Sequence, residues 1–351
     1  MSEHILKNDA TLLEAIRRLN ELSGNAMTLF IADAEGKIEG TLTDGDIRRG
    51  LLAGLTLDSP AAKAANRQFH AILGSISADT VKQLRNLRES NIILVPRLDS
   101  DGHLKEIIDL RLTPNRLPLR ALLMAGGVGE RLRPLTLECP KPLLKIDGKA
   151  IIDYNIEALA AAGVTDITVA TRYLAEKIEK HFAKPVAGVN VKCILEAEPM
   201  GTIGAASFLK KSDDGETLVM NSDLITSVSF EEMYIKHSTS NSDITIAVVP
   251  YQVAVPYAIL TLDGEKVVGL EEKPSYSYYA NAGIYMIKNS VLSSIPSSGK
   301  TDATDLIERV ISQGGNVAYY PIKGTWIDVG SPTDFRQASE LMRHHRNLTH
   351  K

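Results

Sequence analysis

The sequence predicts an α/β protein in two parts: a smaller α+β unit over residues 1–116, then a larger unit over 117–351 on a mixed, mostly parallel sheet. Three observations carry this. The first third repeats a helix–hairpin pattern, a proline-bearing stretch without periodicity follows, and the remainder alternates short apolar runs with helical stretches. A length of 351 residues agrees with two domains at about 150 residues each.

In the first unit, Leu12, Leu13, Ile16 and Leu19 mark one face of a helix, and the run from Leu29 to Gly40 reads as strand, Asp-Gly-type turn, strand. About 66 residues later the run from Ile92 to Ile108 reads the same way, behind a weaker helical stripe of Val81, Leu84 and Leu87. A duplication of this size predicts two units burying their sheets against each other. Leu112 to Arg120 carries Pro114 and Pro118 and reads as a linker. Beyond it, strands are expected at Ala121–Ala125, Asp166–Thr171, Val189–Leu195 and Thr217–Asn221. Helices are expected at Ile151–Ala162, Leu174–Phe182 and Gly204–Lys211. Strands alternating with helices place ligand-handling residues at the carboxyl ends of the strands.

Composition narrows the function classes. Hydrophobic residues make up 44% and charged residues 23%, too apolar for a disordered chain. Lys plus Arg number 39 against 43 Asp plus Glu, so no basic excess exists to drive nucleic-acid binding. Two cysteines, Cys139 and Cys193, supply neither a disulfide framework nor a cysteine-rich zinc site. The start lacks an apolar leader and no apolar run approaches membrane-spanning length, so a cytoplasmic protein without membrane contact is expected.

Gly126-Gly127-Val128-Gly129-Glu130-Arg131 follows the first strand of the larger unit directly. Glycines let backbone N–H groups converge on an anion and let it approach closely, and Arg131 and Arg133 add cationic donors. The spacing is neither the dinucleotide fingerprint nor a P-loop, which removes an oxidoreductase reading. Pro140-Lys141-Pro142 then presents one lysine from a stiffened backbone; taken alone, a lysine there reads as solvated in a turn, the usual fate of a lone lysine.

The run Gly126 to Thr136 with Pro140-Lys141-Pro142 resembles the signature of the sugar-1-phosphate nucleotidyltransferases, of the mannose-1-phosphate guanylyltransferase kind. Further matches follow in the family's order: Pro199-Met200-Gly201-Thr202, Asn221-Ser222-Asp223, Glu272-Lys273-Pro274, Asn281-Ala282-Gly283-Ile284-Tyr285 and Trp326-Ile327-Asp328-Val329-Gly330. The resemblance implies a Rossmann-like (GT-A-like) domain that transfers a nucleoside monophosphate from a nucleoside triphosphate to a sugar-1-phosphate, releasing pyrophosphate. It also implies site roles. Asp223 and Asp328 are the Mg²⁺ pair, and Arg131 and Lys141 handle the phosphates. Ala125, Gly126, Gly127, Gly129, Glu196 and Gly201 border the nucleotide. Glu272, Lys273 and Asn281 receive the sugar phosphate. Thr202 reads equally as a cap of the following helix.

Glu196 stands where related enzymes contact the base. A carboxylate there accepts from guanine N1–H and the N2 amino group together, whereas uracil or thymine offers one donor between two carbonyls, so GTP is favoured over UTP or dTTP. The rival from another class is a nucleotide-sensing subunit that binds without catalysing.

In the first unit, Gly40 to Arg49 resembles a cystathionine-β-synthase-type (CBS) repeat, with Thr43 and Asp46 in the positions that hold an adenosine-type regulatory ligand. The second copy has Asp109 and Leu112 at those positions, so one ligand site at most is expected. Asp44 and Asp46 read alternatively as caps of a helix beginning near Ile47. Paired repeats of this kind imply a homo-oligomer, and their fusion to this enzyme type hints at surface-glycan or nonulosonic acid biosynthesis.

Overall fold

A computed structural model describes residues 2–112, 116–210 and 214–349; linker residues 113–115 and Lys211 lie outside them. The chain divides into two compact units, Met1–Arg116 and Leu117–Lys351.

The first unit runs β1 (Ile5–Lys7), α1 (Leu12–Glu21), β2 (Leu29–Ala32), β3 (Ile38–Leu42), α2 (Asp44–Leu52), β4 (Ile72–Leu73), α3 (Ala78–Glu89), β5 (Leu94–Leu98) and β6 (Leu104–Asp109). Two small sheets result, β1-β2-β3 and β4-β5-β6, each a parallel pair extended by an antiparallel hairpin. Their inner faces meet: Phe30, Ala32 and Ile38 of the first pack with Leu94 and Leu98 of the second. Helix α1 buries Leu12, Ala15 and Leu19, while Leu13 and Ile16 stay half-buried. Helix α2 begins at Asp44, earlier than the expected start near Ile47, and its cap is Thr43, which with Asp46 forms a capping box. Asp44 therefore has no capping part.

The second unit opens with β7 (Leu119–Ala125), so the strand begins inside the stretch read as linker. There follow β8 (Lys145–Ile146), β9 (Lys149–Ala150), α4 (Ile151–Ala161), β10 (Asp166–Thr171), α5 (Ala175–His181), β11 (Lys192–Leu195) and β12 (Glu216–Asn221). The expected helix from Gly204 is a 3-10 turn ending at Phe208, and β11 starts three residues later than the apolar run suggests. The chain continues with β13 (Leu224–Thr226), α6 (Phe230–Thr239), β14 (Ile244–Ala254), β15 (Ile259–Asp263), β16 (Lys266–Glu271), β17 (Ser275–Lys288), α7 (Asn289–Leu292), α8 (Ala303–Ser312), β18 (Val317–Pro321), β19 (Trp326–Asp328) and α9 (Pro332–Thr349).

Among the described residues, seven strands form one mixed sheet in the order β11-β10-β7-β12-β17-β14-β18. Only β17 runs antiparallel to its neighbours β12 and β14. The central strands read as continuous apolar runs because both faces are covered: Leu122, Leu123, Val169, Leu218 and Met220 are all buried. Outside the sheet's core, β14 and β17 continue as a two-stranded arm. Its residues Tyr251, Tyr276, Tyr278 and Tyr279 are exposed, as are Leu260, Leu262, Val267 and Leu270 of the β15–β16 hairpin. The tyrosine cluster thus lies on a surface hairpin, with the Tyr279 ring tilted 34° against that of Tyr319 at 5.3 Å between ring centres.

Candidate active site

Strand β7 is flanked by β10 on one side and β12 on the other, so connections leave it in opposite directions and open a crevice at the strands' carboxyl ends. Met124 pairs with Asn221 in parallel register, and Ser222 donates to Met124 O from both its N–H (3.2 Å) and its hydroxyl (2.7 Å). The glycine loop after β7 and Asp223 after β12 therefore emerge side by side. A cavity of about 320 Å³ sits here, lined by Ala125, Gly126, Gly127, Lys141, Glu196, Gly201 and Asp223 among others.

Each glycine of the loop answers a different need. A Cβ on Gly126 would stand 3.1 Å from Glu196 Oε1; a Cβ on Gly127 would meet nothing within 4 Å, leaving backbone open to a ligand. Gly129 adopts φ +67° and packs on Thr136, whose hydroxyl donates to Gly129 O at 2.8 Å. Gly129 therefore shapes the loop without lining the cavity.

Lys141 opens a short 3-10 turn and is nearly buried, its ammonium donating to Asp223 Oδ2 and lying 3.5 Å from Asp328 Oδ1. The two aspartates are brought together by the β13–β19 ladder, in which Leu224 pairs with Asp328 and Val329 N–H donates to Asp223 O at 3.1 Å. Asp223 Oδ1 is buried without a hydrogen-bond partner, and the buried Asp328 Oδ1 has no closer partner than the Lys141 ammonium at 3.5 Å. Burial, and then the charge of Asp223, push the Asp328 carboxyl above its ordinary range, against the pull of Lys141 and Arg131. Two adjacent carboxylates, one with an unpartnered buried oxygen, are a donor set suited to a hard divalent cation. Arg131, though exposed, reaches the same cluster from behind: a Cβ on Gly330 would fall 2.7 Å from its Nη2, so the Asp328-Val329-Gly330 turn is glycine-ended to admit the guanidinium. Trp326 donates its indole N–H to Ala282 O at 2.9 Å and anchors that turn.

Glu196, which lines the same cavity, is 4% exposed. Its Oε2 accepts from Met200 N–H at 3.4 Å, and Oε1 has no partner. Burial pushes its carboxyl up, partly offset by the Met200 N–H bond and then by the charge of Arg172. Gly201 adopts φ +84°, and a Cβ there would meet Thr301 O at 2.4 Å. Thr202 caps a helix, but not the one that follows: its hydroxyl accepts from Ala303 N–H, the first amide of α8, at 2.8 Å.

Glu272 and Lys273 are exposed where β16 passes into β17, and do not line the cavity. Asn281 is occupied by its own strand, donating to the Tyr285 hydroxyl and accepting from Gly283 N–H, both at 2.9 Å. Its neighbour Gly283 is pressed on Asn221, which does line the cavity. Two lining residues, Arg172 and Lys300, carry no mark in the sequence reading, and Asn221 enters it only as part of the Asn221-Ser222-Asp223 motif, without a site role. Arg172 follows the last residue of β10 and was findable by the carboxyl-end rule; Lys300 sits in a polar loop with no such signal. In the first unit, Thr43 lines a separate cavity of about 260 Å³ with Thr41, Asn66, Phe69, His70 and Ile92. Asp46 does not line it; its carboxylate accepts from the Thr43 hydroxyl at 2.6 Å and from Arg49 at 2.5 Å.

A family model for nucleotidyl transferases matches residues 120–345. The chain belongs to this family. Among its nucleotidyl transferase relatives are the mannose-1-phosphate guanyltransferase of Neurospora crassa, 34% identical over 230 residues, and mannose-1-phosphate guanyltransferase beta-B of Xenopus laevis, 32% identical over 226. Each alignment covers 62% of this chain and 62% of the relative, so the chain spans a little over three-fifths of the relatives it matches. A crystal structure of HddC from Yersinia pseudotuberculosis complexed with GMP-PN is 26% identical with a TM-score of 0.50, covering 64% of this chain and 99% of that one. The matched region lies within the second unit. Among the described residues no helix is long and apolar enough to cross a membrane.

Proposed function

We propose that the second unit transfers GMP from GTP to a sugar-1-phosphate, giving a GDP-sugar and pyrophosphate. The observation that carries this is Lys141 set against Asp223 and Asp328, with Lys141 and Asp223 lining one glycine-bearing cavity together with the buried Glu196. A sugar phosphate, with a second pKa near 6, is already an anionic nucleophile, so the site needs no general base. Its work is to align two anions that repel each other and to neutralise charge on the α-phosphoryl and leaving groups. Lys141 and Arg131 do this with fixed cations, and the open backbone of Gly127 lets the phosphates approach. Asp223 and Asp328 would hold Mg²⁺, which supplies further charge neutralisation when bound. Glu196, its Oε1 unpartnered, takes the guanine donors; the guanyltransferase relatives and the guanine-nucleotide complex of the Yersinia protein support that choice over UTP or dTTP. Glu272, Lys273 and Asn281 receive the sugar phosphate from the arm.

The first unit is read as a tandem CBS module taking an adenosine-type ligand in the cavity beside Thr43. Asp46, committed to Thr43 and Arg49, must release one of them to reach a ribose. The protein is expected to work in the cytoplasm as a homo-oligomer, and light scattering on the purified chain tests the association. The catalytic reading is tested by Mg²⁺-dependent pyrophosphate release from GTP, UTP, dTTP, CTP and ATP against a panel of sugar-1-phosphates. Turnover with GTP and one sugar supports it. Nucleotide binding without release from any pair favours a sensing subunit instead.

A further inference from the structure

The loop carrying Met200, Gly201 and Thr202 is held by residues about a hundred positions further along, at the start of α8. Thr301 N–H donates to Met200 O at 2.9 Å, and Ile203 N–H donates to Thr301 O at 3.2 Å. The side chains then reciprocate: Thr202 N–H donates to Asp302 Oδ1 at 2.9 Å, while Ala303 N–H donates to the Thr202 hydroxyl at 2.8 Å. Gly201 lies so close beneath that a Cβ would meet Thr301 O at 2.4 Å and Asp302 Oδ1 at 2.9 Å. Asp302 also has one charged partner, Lys300, at 2.8 Å from its other oxygen. Lys300, Gly201 and Thr202 all line the cavity, and Met200 N–H is the group that reaches Glu196 Oε2. One carboxylate thus fixes the backbone on one wall of the cavity and tethers a cation at its rim.

We propose that Asp302 is a positioning residue for the nucleotide: it sets where the Met200–Thr202 backbone and Lys300 stand, and through Met200 where Glu196 stands. This rests on the reading of the cavity as the nucleotide site. Asp302 also caps α8, so a purely structural role must be told apart. Asparagine caps a helix about as well as aspartate and still accepts from Thr202 N–H, whereas alanine does neither.

The experiment compares Asp302→Ala, Asp302→Asn, Thr202→Ala and Thr202→Ser in the full chain. GTP affinity with Mg²⁺ is measured by calorimetry without sugar phosphate, and steady-state pyrophosphate release alongside. Asp302→Ala is expected to weaken GTP binding and raise KM for GTP roughly tenfold, in the range typical of a lost charge-assisted contact, with kcat and KM for the sugar phosphate within about threefold. Asp302→Asn and Thr202→Ser should recover most of the affinity. Thr202→Ala removes the reciprocal bond while leaving Asp302 in place, and should weaken GTP binding even if Asp302→Ala fails to fold. GTP affinity unchanged in the folded alanine variants, or a fall in kcat with no change in affinity, overturns the proposal, as does a wild-type chain that binds no nucleotide. A wild type that binds GTP yet releases no pyrophosphate ends the catalytic reading alone, and weaker GTP binding by Asp302→Ala then still upholds the positioning role.

Discussion

Replacing Glu196 by glutamine changes two things that the structure separates. The carboxylate is buried, Oε1 has no hydrogen-bond partner, and Oε2 has only the long bond from Met200. On the proposed reading it would accept from two adjacent donors of guanine. Glutamine of the same shape keeps one acceptor and turns an NH₂ group toward the second donor. The loss is one charge-assisted hydrogen bond, about 2–3 kcal/mol, or roughly 30- to 150-fold in kcat/KM for GTP. The same amide offers one acceptor and one donor to uracil's N3–H and a flanking carbonyl, so kcat/KM for UTP should rise relative to GTP. The ratio of pyrophosphate-release rates for the two nucleotides is the assay. Stability should move the other way. Burial raises the folded-state pKa of Glu196, so the native state binds that proton more tightly and loses stability as pH rises from the unfolded value through the raised one. Glu196→Gln is therefore expected to raise the melting midpoint at pH 7 and to change it little at pH 4. Equal loss with GTP and UTP, or GTP turnover within threefold of wild type, would refute the guanine argument. An unchanged midpoint at pH 7 would refute the burial argument.

Asp223→Ala should leave the fold intact and reduce pyrophosphate release by about 10³-fold or more, as expected when a group stabilising transition-state charge is deleted; a smaller loss in single-turnover assays would move the metal pair elsewhere. Gly201→Ala places a Cβ 2.4 Å from Thr301 O at φ +84°, and should cost about 3 kcal/mol in denaturant unfolding, combining overpacking and left-handed strain. His237 is buried, bonded through Nδ1 to Thr245, and burial followed by the charge of Lys288 depresses its pKa to about 4. The native state holds it neutral, so its contribution, on the order of 3 kcal/mol, is present above about pH 6.5 and lost as pH falls toward 4. His237→Asn should flatten the melting profile across that window.

What the sequence reveals of this molecule follows where local rules suffice. Strands β7, β10 and β12 are legible because burial on both faces leaves apolar runs, and Ile151–Ala161 because its buried positions repeat at helical spacing. The glycine loop, Lys141 and Asp223 follow from a motif at a strand end. The β13–β19 ladder is not legible: three-residue strands about a hundred positions apart carry no periodicity, yet they alone put Asp328 beside Asp223. Thr202 misleads for a similar reason. Its neighbours in sequence suggest a cap for the next helix, but that segment tightens to a 3-10 turn and the hydroxyl serves α8. The run of Tyr276, Tyr278 and Tyr279 has strand chemistry without a core to receive it, so its exposure could not be read from residue type.

The two ends of the proposed substrate pair rest on parts of very different protection. Glu196 and Asp223 stand at the ends of β11 and β12, and Gly201 is held against Thr301 and Asp302, so baring their backbone means breaking contacts of the sheet unit. Glu272 and Lys273 ride on a hairpin whose side chains are almost all exposed and whose backbone bonds face water. Local opening there breaks few buried contacts. Brief treatment with a nonspecific protease should therefore nick the chain between β14 and β17 first, leaving a core that still retains nucleotide after it has lost its hold on sugar phosphate.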